Sequence, residues 1–72
     1  MTRDEALAIA RKRYGADVMI CGESPTHFVV AVPRGAAEMD RRTPFIHKAT
    51  SEVSEARRQD DPAYFAGVVY FD

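Results

Sequence analysis

Val18-Met19-Ile20-Cys21-Gly22-Glu23-Ser24-Pro25-Thr26-His27-Phe28-Val29-Val30-Ala31-Val32 is the stretch that decides the fold. Val18 to Cys21 is a short β-prone run that stops at Gly22. Glu23 to Thr26 has the chemistry of a turn. His27 to Val32 is a second, stronger strand, stopped by Pro33 and Gly35. Together they predict an antiparallel hairpin with a loop of four or five residues. Both runs are nearly continuous in apolar residues. One face must therefore meet another element, and the other must be at least partly covered.

The element that meets it lies just upstream. Thr2 and Glu5 fit the S/T-x-x-E capping box. Ala6, Leu7, Ile9, Ala10 and Tyr14 fall on one helical face, with Asp4, Arg11 and Lys12 on the other. Arg11, Lys12 and Arg13 suit a helix C-terminus, and Gly15 suits a left-handed cap beyond it. These signals predict an amphipathic helix over about residues 3–14.

Downstream, Gly35 to Arg42 reads as a charged connection with helical propensity in Ala36-Ala37-Glu38-Met39. Thr43 to Lys48 is a third strand, with Pro44 placing it at a strand start or a sheet edge. Residues 51–59 are compatible with strand or helix. Asp60-Asp61-Pro62 is a break and a helix start, with Pro62 at the first helical position. Val68 to Phe71 is β-prone, and a helix interrupted by Gly67 is the alternative for this tail.

The 72 residues allow one domain, residues 1–72, with a thin core. Cys21 is the only cysteine, so no disulfide closes within the chain. A lone cysteine and an N-terminus without an apolar run predict a cytoplasmic protein. No stretch approaches the roughly 20 apolar residues of a membrane span. Ten basic and eleven acidic residues are too balanced for a nucleic-acid binder that works by neutralising phosphates.

The candidate chemical groups are few. Cys21 and His27 flank the hairpin turn, and a Cys–His pair can make a thiolate nucleophile. No third group orients the imidazole, so a small buried cysteine is the preferred reading. Cys21, His27 and His47 lack the local spacing of a structural zinc site. No phosphate-cradling glycine loop and no metalloprotease motif is present. The expectation is therefore no catalytic site, no metal and no cofactor.

Two arginine pairs, Arg41-Arg42 and Arg57-Arg58, offer planar donor forks to an acidic surface, among acidic neighbours that blunt their field. Tyr64, Phe65, Tyr70 and Phe71 place four of the seven aromatic residues in the last nine positions. So small a domain cannot easily bury all four, and an exposed remainder would form a sticky surface. Arg41, Arg42, Arg57, Arg58, Tyr64 and Phe65 are thus the expected partner-binding residues.

The order of these features resembles the YrhB-like, or immunity-protein-35, family of small bacterial immunity proteins. The resemblance lies in the opening helix Glu5-Ala6-Leu7-Ala8-Ile9-Ala10 and the strand His27-Phe28-Val29-Val30. It continues through Pro44-Phe45-Ile46-His47-Lys48-Ala49-Thr50-Ser51-Glu52-Val53 and the proline- and aromatic-bearing tail Pro62 to Phe71. Ser51 stands where the resembled pattern has glycine, and the usual tryptophan of the second strand is absent. The resemblance implies a non-catalytic inhibitor that masks a toxin.

The expected fold is α+β: an N-terminal helix packed on an antiparallel sheet of three or four strands. The expected function is a small inhibitor or immunity-like protein that sterically blocks another protein, a toxin or a defence-system component. A phage-encoded anti-defence inhibitor of the anti-CRISPR kind is an alternative. So is a homo-oligomeric structural or virion-assembly component, built as a dimer or larger.

Overall fold

The structure, a computed structural model, describes residues 1–32 and 42–71. Residues 33–41 lie outside the described residues, and with them all but the last residue of the expected 35–42 connection, Arg41 included. The elements in chain order are α1 (Arg3–Tyr14), β1 (Met19–Glu23), β2 (His27–Ala31), β3 (Thr43–His47), β4 (Val53–Ala56), α2 (Pro62–Phe65) and β5 (Val69–Tyr70). The strands form one antiparallel sheet in the order β4-β3-β2-β1-β5. The α+β architecture is the expected one, with a two-residue fifth strand added at the β1 edge.

Helix α1 starts where the capping box puts it. The Glu5 N–H donates to Thr2 Oγ1 at 3.1 Å, and the Thr2 N–H donates to Glu5 Oε1 at 2.7 Å. The Thr2 backbone N–H, and then its hydroxyl, hold the Glu5 carboxyl below its ordinary pKa. At the other end Gly15 takes φ 108° and ψ 172°. That is not the left-handed helical cap expected but the mirror-extended region, which is still more exclusive to glycine.

Alternation along the strands sends neighbouring residues to opposite faces of the sheet. On one face Ile20, Phe28, Val30 and Ile46 close over Ala6 and Ala10 of α1, with Val18 beside them. Ala6 and Ala10 are fully buried, and with no side chain beyond Cβ they let the helix sit close to the sheet. On the other face Val29, Phe45 and Ala56 form a smaller cluster, covered by Tyr64, Phe65 and Val68. Two coverings explain why Phe28-Val29-Val30 and Pro44-Phe45-Ile46 are buried without interruption.

The hairpin differs from expectation in detail. Its loop is three residues, Ser24 to Thr26, because Glu23 still pairs with Phe28. The buried Ser24 Oγ accepts from the N–H groups of Thr26 and His27, which tightens the turn. Register slips between Ile20 and Gly22, so Cys21 is the extra residue of a β-bulge. The Cys21 carbonyl accepts from the Phe71 N–H at 2.8 Å, and this ties the tail to the sheet. Gly22 permits that approach: a Cβ there would lie 2.8 Å from the Val69 carbonyl oxygen.

Pro44 sits near the start of β3, beyond the ladder with β2, which runs from His27↔His47 to Val29↔Phe45. Residues 53–56 are strand, not helix, and they pair with β3 from Ile46↔Val53 to Thr43↔Ala56. The turn before β4 carries Ser51 at φ 65°, the only positive-φ non-glycine residue among those described. Pro62 opens α2 as expected. The tail is not one interrupted helix, since β5 leaves the turn at Gly67 to pair with β1.

Candidate functional site

The second face of the sheet gathers the chemistry. Cross-strand register sets His27 opposite His47, and their rings meet edge-on with centroids 4.7 Å apart. Tyr64 lies 5.2 Å from the His27 ring and 5.0 Å from the Phe45 ring. Phe65 meets Phe45 edge-on at 5.1 Å. The Arg58 guanidinium stands 5.0 Å over the Phe65 ring. The result is a half-exposed aromatic platform with a cation on its rim.

The arginines converge on one end of the sheet. Arg42 is exposed just before β3, and Arg57 follows β4, one step past the Thr43↔Ala56 pair. The Arg57 Nε donates to Asp60 Oδ2 at 2.7 Å and the two form an ion pair. That bond pins the turn in which Asp60 and Asp61 N–H groups donate to the Arg57 carbonyl. Of the expected partner-binding residues, Arg58, Tyr64 and Phe65 are joined by ring contacts, with Phe45 between the two aromatics, Arg42 and Arg57 flank the Thr43↔Ala56 end of the β3–β4 ladder, and Arg41 lies outside the described residues.

The four C-terminal aromatics divide three ways. Tyr64 and Phe65 cap the smaller cluster. Phe71 packs at the rim of the helix-face core, under the Arg3 guanidinium at 3.8 Å. Tyr70 is 49% exposed, beside Val69 at 65% and, on the same edge of the sheet, Met19 at 66%.

Burial and hydrogen bonding act on the ionisable groups of this face. Burial pushes the Cys21 thiol up, which opposes thiolate formation. Among the described residues no hydrogen bond joins Cys21 to His27. Burial, and then the neighbouring His47, push His27 below the ordinary histidine value. His27 Nδ1 lies 2.8 Å from Thr26 Oγ1. His47 Nδ1 accepts the Ala49 N–H at 3.1 Å, so its ring proton sits on Nε2. That tautomer leaves His47 Nε2 without a lone pair for a cation. Among the described residues no group of three or more His, Cys, Asp or Glu could hold a metal ion.

On the opposite side of the hairpin, Lys48 pairs with Glu23 at 2.6 Å and stands 4.8 Å over the Phe28 ring. Its N–H donates to the Thr26 carbonyl at 2.8 Å, so it clasps the turn to the end of β3. The His27–His47 pair went unseen in the sequence because it depends on the β2–β3 register, and the connection between those strands hides that register. The readable signal was a histidine at one end of each of two adjacent strands. No helix among the described residues is long and apolar enough to cross a membrane. Set against family models, curated proteins and solved structures, the chain matches none of them.

Proposed function

We propose that this chain is a non-catalytic cytoplasmic binding protein that covers a functional site on another protein. The observation that carries this reading is the platform of Tyr64 and Phe65, held by Phe45 and His27 and rimmed by Arg58. Rigid aromatics beside arginine are the composition of interface centres. A guanidinium stacked on Phe65 is also pre-ordered, so less side-chain entropy is lost on binding.

The partner class follows the resemblance to immunity proteins, which names a toxin first; a defence-system component, met by a phage inhibitor, is the other class. Position 51 is where the chain departs from the resembled pattern. Ser51 holds φ 65°, a conformation that favours glycine, and glycine is what the resembled pattern has there.

The test is capture by the tagged chain, with Arg42→Glu and Arg58→Glu as comparison. One stoichiometric partner retained by the wild type and lost from both variants, with unchanged circular dichroism, is the expected result. A partner retained equally by all three removes this surface from the reading.

A second reading has its own observation. Met19, Val69 and Tyr70 are exposed along the β1–β5 edge, and a short apolar edge can pair with a second copy. Sedimentation would then report a dimer at micromolar concentration that Tyr70→Glu dissociates. A monomer throughout would eliminate this reading.

A further inference from the structure

The two histidines sit where a proton would do mechanical work. His27 and His47 close the turn end of the β2–β3 ladder, and Tyr64 rests on His27. Three features of this corner favour neutral rings. His47 Nδ1 can accept the Ala49 N–H only while it carries no proton. The two rings approach to 4.7 Å, a distance at which two imidazoliums repel. The half-buried face also penalises charge on either ring.

The surrounding charges give no relief. From β1, Glu23 is taken by Lys48; from β4, Glu55 accepts from the Tyr14 hydroxyl; from the turn before α2, Asp60 holds Arg57. Glu52 meets the corner through its carbonyl, which accepts the His47 N–H. Asp61, which precedes α2, has no side-chain capping bond. Lys48, the next residue after His47, lies just past β3, and Glu23 balances its charge. Among the described residues no carboxylate is hydrogen-bonded to either imidazole. The Tyr64 and Phe45 rings can soften one positive charge on His27, but not a second charge on its neighbour.

We propose that the His27–His47 pair is a proton-operated latch that holds residues 62–68 against the sheet and lets them go in mild acid. Neutral rings stack with Tyr64 and keep the 47–52 turn closed. Protonated rings part, the Ala49 N–H loses its acceptor, and Tyr64 loses the surface it rests on. The latch is a property of the fold and stands whether or not this face binds a partner.

The direction follows from linkage. The folded chain holds His27 below its ordinary pKa, so the unfolded or locally opened chain takes the proton first as pH falls. Stability is therefore complete above the ordinary histidine range. It is lost as pH drops through the window between the ordinary value and the lowered one.

Amide hydrogen exchange at about pH 7.5 and about pH 5, corrected for the intrinsic rates, tests the latch. Protection of the Ala49, Tyr64 and Val68 amides should fall by roughly tenfold or more in acid while the circular dichroism of α1 stays unchanged. His27→Gln should erase that pH dependence at Tyr64 and Val68, and His47→Gln should erase it at Ala49 as well; either variant suffices if the other fails to fold. Equal protection at both pH values, a helix signal lost in the same step, or a dependence at Tyr64 and Val68 that survives in the glutamine variants would overturn the proposal.

Discussion

The two faces of the sheet are covered unequally. The helix face buries seven residues, led by Ile46, Phe28 and Val30, against a capped twelve-residue helix. The other face buries three, under a four-residue helical turn and the residues just after it. Apolar burial supplies most of the favourable energy of folding, at about 25 cal/mol per Å². The helix face therefore carries the stability. The opposite face holds the histidine pair and the aromatic platform with Arg58 over it, where partial exposure leaves them able to act.

The largest effect should come from breaking the helix face. Ile46→Ala opens a cavity in a fully buried site and should cost about 2–5 kcal/mol, seen as a lower urea midpoint. Next comes the junction of sheet and tail. Gly22→Ala drives a Cβ against the Val69 carbonyl and should cost about 1–3 kcal/mol, with loss of the Phe71 amide's protection. Thr2→Ala removes the α1 cap and should cost about 1 kcal/mol in thermal unfolding. The smallest change runs the other way. Ser51→Gly relieves a positive φ and should stabilise by about 0.5–1 kcal/mol, once glycine's extra unfolded freedom is subtracted.

The same contrast explains what the sequence could disclose. Helix α1 was legible because four independent local signals, from Thr2 to Gly15, agree along one stretch of chain. The strands at His27 and Thr43 were legible from β-branched and aromatic runs bounded by proline and glycine. The start of α2 at Pro62 was legible for the same local reason. Residues 53–56 were not, since Val53-Ser54-Glu55-Ala56 has no strong local preference and is strand only through pairing with β3. The bulge at Cys21 was hidden because it exists only relative to β2 and the tail.

The site was legible in its parts and not in its assembly. Arginines and aromatics were readable as composition, and the structure joins Arg58, Phe65 and Tyr64 around Phe45. Their division of labour was not readable. Tyr64 is a wall of the smaller cluster as well as a surface residue, so Tyr64→Ala would disturb both roles. Arg58→Glu is the cleaner probe, being exposed and lying over the Phe65 ring.

Native-state hydrogen exchange at neutral pH tests the unequal faces most directly. The account predicts two tiers. Amides of the β2–β3 ladder at Phe28 and Ile46 should open only with the whole molecule. Those of Tyr64 and Val68, which bond to the Asp61 and Phe65 carbonyls, should open at a free energy lower by several kcal/mol, on the order of 2–4. A single tier, with residues 62–68 as protected as the ladder, would contradict it: the second face would then be as much a part of the core as the first.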